Sequence, residues 1–200
     1  DPLYDFLTEI LTSCRQAKQL VDQIRVFSRC SEGTAAPMRM TPIVKETSKQ
    51  VATALGKRVR VQCTIGTSTD TVLATPEQVH QVLLNLCQNA DEAMGAEGGT
   101  LDVRLTSFVL GEEHRKEFPR LFDSESPDHA LGKSFVRLTV RDSGKGMDDE
   151  TCARIFEASF TSKKGREGLG MGLPVVWGVV TGLGGAISVE SSPGKGAMFH

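Results

Sequence analysis

The chain has 200 residues, 39% of them hydrophobic, and its 23 basic and 25 acidic residues give a formal charge of -2. That length suits one compact domain, or one domain with a helical appendage, and the apolar content is enough for a core. So even a charge balance excludes a general nucleic-acid or membrane-surface binder, and any anion site must be local. Cys14, Cys30, Cys63, Cys87 and Cys152 lie scattered, without CxxC pairing or metal-ligand spacing. Such a pattern is expected of reduced thiols in a cytoplasmic protein. No signal peptide is visible, and no apolar run approaches the roughly 18 residues of a membrane span. Its helical opening and strand-like end, Met198-Phe199-His200, are those of a fragment, which leaves open a membrane anchor elsewhere in a longer protein.

The first predicted element is a helix over 3–28. Leu3, Leu7, Ile10, Cys14, Ala17, Val21 and Ile24 recur at alternating spacings of four and three, and Leu20 and Phe27 widen the stripe. That is a bundle helix, which needs a partner helix from outside the chain or from a second copy; an ordinary amphipathic helix packed on its own domain is the alternative. Residues 31–40 read as a linker, with Gly33 and Pro37 as breakers. A helix is predicted over 42–55 and an alternating strand over 58–65.

Thr75, Pro76 and Gln78 form a capping-box start for a helix over 75–94, whose apolar face is Val79, Val82, Leu83, Leu86, Ala90, Ala93 and Met94. Strands follow near 99–109 and 134–141. Between them, 111–133 is polar and aperiodic and reads as an inserted mobile loop, dispensable for ligand binding. A helix over 173–181 and two short strands, 187–190 and 197–199, complete an α+β fold, a mixed sheet with helices on one face.

Three stretches carry candidate chemistry. On the 75–94 helix Asn85 and Asn89 lie four apart, so they share a face, with Gln81 and Glu92 near the same line. Amide oxygens suit a hard cation such as Mg²⁺, with phosphates completing the shell, though a solvated polar face has the same pattern. In "DSGKGM", 142–147, Asp142 ends a strand. Its carboxylate can read an exocyclic amine such as adenine N6, while Gly144 and Gly146 let a flat ring approach the backbone; an Asx turn is the bland alternative. In "TSKKGREGLGMGL", 161–173, Gly168, Gly170 and Gly172 precede a helix. Free N–H groups there can meet phosphate oxygens, Lys163 and Lys164 supply charge, and Thr161 and Ser162 supply hydroxyls. A dinucleotide fingerprint would follow the first strand of a βαβ unit, which this motif does not.

In order along the chain these stretches resemble the ATP-binding catalytic domain of sensor histidine kinases, the family of the Bergerat ATP fold. "QVLLNLCQNADEAM" is similar to its N box, "DSGKGM" to its first glycine box and "IFEASFTSKK" to its F box. "GLGMGLPVVWGVV" is similar to the second glycine box and "GGAISVESSPGKGAMF" to the closing hairpin, with variants most like the nitrogen-regulation and PAS-linked hybrid branch. "RQAKQLVDQIRVFSR" resembles the second helix of the dimerisation and phosphoacceptor hairpin.

The resemblance implies a two-layer α/β sandwich over 41–200, a linker over 31–40, and part of the dimerisation hairpin over 1–30. It implies that Asp142 bonds adenine, that Asn89 holds Mg²⁺ and Asn85 assists metal or phosphate, and that Lys163 contacts the γ-phosphate of ATP. Gly168, Gly170 and Gly172 would hinge a lid, and Met147 and Leu173 would line the purine pocket. The implied activity is γ-phosphoryl transfer to a histidine in two-component signalling. Its partners would be the phosphoacceptor helix of the same or another chain and a response-regulator receiver domain, in a homodimeric full-length protein. No histidine precedes His80, so the acceptor helix is missing and the chain alone should not phosphorylate itself.

Leu169 stands where the family lid often has threonine, Ala158-Ser159 replace Pro-Phe, and Ala197 stands where many members have a threonine. Two other functions compete: ATP hydrolysis, as in gyrase and heat-shock chaperones of the same fold, and nucleotide sensing or docking without turnover. The hydrolases resemble this chain but carry glutamate where Asn85 stands, and without that carboxylate, activation of water should be poor.

Overall fold

The computed structural model describes residues 35–122, 131–157, 160 and 171–200. The helix expected over 3–28 and most of the lysine- and glycine-bearing stretch therefore lie outside the described residues.

A five-stranded mixed sheet carries the fold, in the order β2-β4-β5-β7-β6. Its strands are β2 (Val59–Ile65), β4 (Gly99–Val109), β5 (Ser134–Asp142), β6 (Val189–Ser191) and β7 (Ala197–Phe199). β2 runs parallel to β4, and the other pairings are antiparallel. Leu101, Val103 and Leu105 of β4 are fully buried while Asp102 and Arg104 between them are half-buried and exposed, so one face of the sheet carries the core.

That face is covered by α1 (Met40–Leu55), α2 (Pro76–Met94) and α4 (Gly172–Gly182); a short α3 spans Asp149–Arg154. Buried Met40, Val44, Thr47, Ser48 and Val51 line one side of α1. α2 starts as expected: Thr75 Oγ1 accepts from Gln78 N–H, and Gln78 Oε1 accepts from Thr75 N–H. Its face of Val79, Val82, Leu83, Leu86, Cys87, Ala90 and Met94 is buried in the main core. The expected α+β sandwich is thus the observed one.

Two expectations change. Ala36–Arg39, inside the expected linker, forms β1 and pairs antiparallel with β3 (Thr71–Ala74) as a separate two-stranded sheet. Asp70, just before β3, ties that hairpin to α1 by accepting from Arg39 Nε at 2.8 Å and Thr41 N–H at 2.7 Å. The stretch 111–122 is also no structureless loop. It forms two short 3₁₀ turns, Glu112–His114 and Pro119–Phe122, and buries Phe118 and Phe122. The Arg137 guanidinium of β5 lies over the Phe108 and Phe118 rings and bonds Glu117 at 2.8 Å, stapling the insertion to the sheet. These aromatic residues are too widely spaced to make a periodic signal, and their packing is set by β4 and β5 beneath them.

Candidate functional site

α2 presents Asn85 and Asn89 on neighbouring turns toward the start of α4. Asn85 is 3% exposed. Its Nδ2 donates to the Gly172 carbonyl at 3.3 Å, and its Oδ1 accepts from Gln81 Nε2 at 3.1 Å. One turn further along, Asn89 also faces Gly172: a β-carbon on that glycine would sit 3.8 Å from both Asn89 amide atoms. Among the described residues, Asn89 Nδ2 is buried without a hydrogen-bond partner. Buried amides are nearly always bonded, so an orphaned one calls for an acceptor.

The other end of the site is built where β5 stops. Asp142 is buried, and its Oδ1 accepts from Gly144 N–H at 2.7 Å and from Ala197 N–H at 3.4 Å. Both bonds fall on one oxygen of the carboxylate. Burial raises its pKa above the ordinary carboxylate value, against the lowering effect of those two N–H groups.

The 143–147 loop is clamped between α2 and the β6–β7 hairpin. Lys145 N–H donates to the Ala93 carbonyl at 3.1 Å, and Gly194 N–H donates to the Lys145 carbonyl at 2.7 Å. Ser191 is central to this clamp: its hydroxyl donates to the Gly196 carbonyl at 2.7 Å and accepts from Met147 N–H at 2.9 Å. Gly144 packs so closely on the last turn of α2 that a β-carbon would lie 2.7 Å from the Ala93 carbonyl carbon. Gly146, at φ +66°, would place one 2.0 Å from the Ser192 carbonyl oxygen. Only glycine fits such a left-handed, backbone-packed position.

The fold therefore brings Asn85, Asn89 and Gly172 together, and separately Asp142, Gly144, Gly146 and Met147, joined through the end of α2 at Ala93. Met147 and Leu173 are partly buried against the core, on the loop after β5 and in the first turn of α4. Thr161, Ser162, Lys163, Lys164, Gly168 and Gly170 lie outside the described residues. Gln81, Ser191 and Gly196 had not been singled out as site residues. Gln81 alone left a trace in the sequence, through its four-residue spacing from Asn85; the contacts of Ser191 and Gly196 depend on how the closing hairpin meets the loop. Among the described residues there is no cluster of three His, Cys, Asp or Glu suited to a metal, and no helix long and apolar enough to cross a membrane.

Residues 74–200 match the model of the family described as histidine kinase-, DNA gyrase B-, and HSP90-like ATPase. The chain is 28% identical over 199 residues to the sensor kinase CckA of Brucella abortus (strain 2308), covering all of this chain and 20% of that protein. It is 38% identical over 129 residues to the sensor histidine kinase ZraS of Klebsiella oxytoca, covering 64% of this chain and 22% of that protein. The chain thus spans about a fifth of the length of these relatives. In fold it is similar to full-length ShkA, solved in complex with AMPPNP, with TM-score 0.68, 22% identity, and coverage of 98% of this chain and 37% of that one. It is also similar to the catalytic domain of the histidine kinase ThkA in a nucleotide-free form, with TM-score 0.58, 23% identity, and coverage of 82% and 91%. With the family model matching residues 74–200, most of the chain, this protein belongs to the histidine kinase-, DNA gyrase B-, and HSP90-like ATPases.

Proposed function

We propose that this chain positions Mg²⁺-ATP for transfer of the γ-phosphoryl group to a histidine on a helix outside it, the kinase step of two-component signalling. The observation that carries this is a two-ended site. At one end a buried carboxylate, Asp142, is held by backbone N–H groups on one oxygen, and its other oxygen would accept from an exocyclic amine. At the other, Asn89 keeps a buried amide without a partner beside the start of α4. An acid that accepts from adenine N6 and an amide that meets phosphate or cation read the two ends of one nucleotide.

The donor set fits magnesium. Asn89 is neutral and offers an amide oxygen to a hard cation when its head group is turned, and phosphate oxygens would supply the charge. Bound there, the ion would neutralise charge on the phosphates. Asp142 holds the base, Met147 and Leu173 bound its ring, and Lys163 and Lys164 supply positive charge toward the terminal phosphates. Phosphoryl transfer asks for little more than positioning and charge neutralisation, which these groups can provide without a covalent nucleophile. Hydrolysis is disfavoured, because Asn85 stands where a general base would be needed and its amide is bonded at both ends. The partners we propose are the acceptor-histidine helix and a receiver domain, with the full-length protein a homodimer.

Calorimetry with a non-hydrolysable ATP analogue tests the site. Asp142→Ala should abolish binding with or without magnesium, whereas Asn89→Ala should lose chiefly the magnesium-dependent part. Unchanged affinity in Asp142→Ala would remove the basis of the proposal. Transfer is tested by supplying a helical bundle that bears the acceptor histidine: label from γ-labelled ATP on that bundle marks a kinase, and binding without label marks a nucleotide sensor.

A further inference from the structure

Gln81, Asn85 and Asn89 stand at four-residue intervals on α2, so their three amides share one face. An amide group is polar in two senses: its oxygen only accepts and its NH₂ only donates. Which end points where is therefore dictated by neighbours. For Asn85 the neighbours leave no choice. The Gly172 carbonyl can only accept, so it must face the Asn85 NH₂, at 3.3 Å. The oxygen then requires a donor, which Gln81 Nε2 supplies at 3.1 Å.

Two further observations give the chain Gln81–Asn85–Gly172 a purpose. α4 begins without a side-chain cap: Met171 at its N-cap makes no such bond, and its first turn holds no acidic residue. Across from it, the Asn85 amide of α2 donates to the carbonyl of the first residue of α4, Gly172. Gly172, which that amide holds, is also the residue beside the unpartnered Asn89 amide. Moving Gly172 would therefore move the wall of the space that Asn89 faces.

We propose that Gln81 is a positioning residue. By holding the Asn85 oxygen it turns the Asn85 NH₂ onto the Gly172 carbonyl, and so clasps the start of α4 against the part of the site where Asn89 sits. Asn85 is then the clasp and Asn89 the ligand-facing amide, a division of labour between two asparagines that helical spacing alone makes alike. For Asn85 to offer its oxygen to a cation it would have to release Gln81. The functional consequence rests on the nucleotide site proposed above; the clasp itself does not.

Because only the donor of Gln81 is used, donor and acceptor replacements should separate. Gln81→Lys keeps an N–H donor, Gln81→Glu is nearly isosteric but offers only acceptors, and Gln81→Leu offers neither. In the nucleotide-free chain, backbone amide exchange at Val175 and Val176, near the start of α4, should stay within twofold of the parent in Gln81→Lys. It should quicken at least tenfold in Gln81→Glu and Gln81→Leu, and exchange of the Asn85 side-chain NH₂ should follow the same order. Affinity for the Mg²⁺-ATP analogue should fall in Gln81→Glu and Gln81→Leu and recover in Gln81→Lys. Exchange that is unchanged in all three variants, or equally fast in all three, overturns the proposal, since a mere packing role would not distinguish Lys from Glu. Should Gln81→Leu fail to fold, the Lys and Glu pair decides alone. Exchange read without nucleotide is independent of ATP binding, so failure of the clasp and failure of the nucleotide site, tested with Asp142→Ala, are told apart.

Discussion

Gly194 and Gly196 flank Lys195 in the turn between β6 and β7 and take almost the same backbone angle, φ +76° and +74°. Alanine at either position incurs the left-handed penalty of an L-residue, about 1–2 kcal/mol. They differ in what a β-carbon would meet. Nothing lies within 4 Å at Gly194, but at Gly196 the new carbon would fall 2.1 Å from the Asp142 carbonyl oxygen. Carbon and oxygen settle at about 3.3 Å, so the hairpin and the end of β5 would have to part by roughly 1.2 Å. The Ala197 N–H bond to the Asp142 carboxylate is already 3.4 Å and would be lost. Gly194→Ala should therefore cost about 1–2 kcal/mol in urea unfolding and leave affinity for an ATP analogue unchanged. Gly196→Ala should cost about 2–5 kcal/mol, adding overpacking to the same backbone penalty. By calorimetry, its nucleotide affinity should fall at least tenfold. Equal destabilisation of the two variants, or a Gly196→Ala protein that binds as tightly as the parent, would refute the view that the hairpin positions Asp142.

Phe118→Ala should cost about 3–5 kcal/mol in urea unfolding, the range for a large buried aromatic, because Phe118 is only 4% exposed; a loss below about 1 kcal/mol would mean the insertion is dispensable to the fold after all. For Asp70, burial pushes the carboxyl up, but hydrogen bonds from Thr41 and Arg39 outweigh it and hold the group at about 2, against an ordinary 3.8. Its folded pKa is depressed, so its contribution is complete above about pH 4 and is lost as the pH falls toward 2. Asp70→Asn should lower stability at pH 7 and flatten the acid limb of the stability profile between pH 4 and 2, and an unchanged acid limb would remove that role.

Much of this molecule is written in short-range sequence pattern. The Thr75-Pro76-Gln78 start of α2, the alternation of β2, β4 and β5, and the apolar run of α4 depend on residues within a turn or two of one another. So does the choice of Asp142 and the α2 asparagines as candidates, since a carboxylate before spaced glycines and amides four apart on a helix are local signs. β1 and β3 were not legible, because four residues such as Ala36-Pro37-Met38-Arg39 are too few to show a period, and their strand character comes from pairing with each other. The insertion was not legible either, since Phe118 finds its place only through Arg137 and Phe108. The two asparagines show the limit most sharply. Spacing alone makes Asn85 and Asn89 equivalent, one turn apart on one face. What distinguishes them is a carbonyl 87 positions away, at Gly172, which engages the first, while the second's Nδ2 has no partner among the described residues. Helical period and capping are properties of neighbouring residues, whereas the direction in which a buried amide donates is decided by whatever the folded chain brings opposite it.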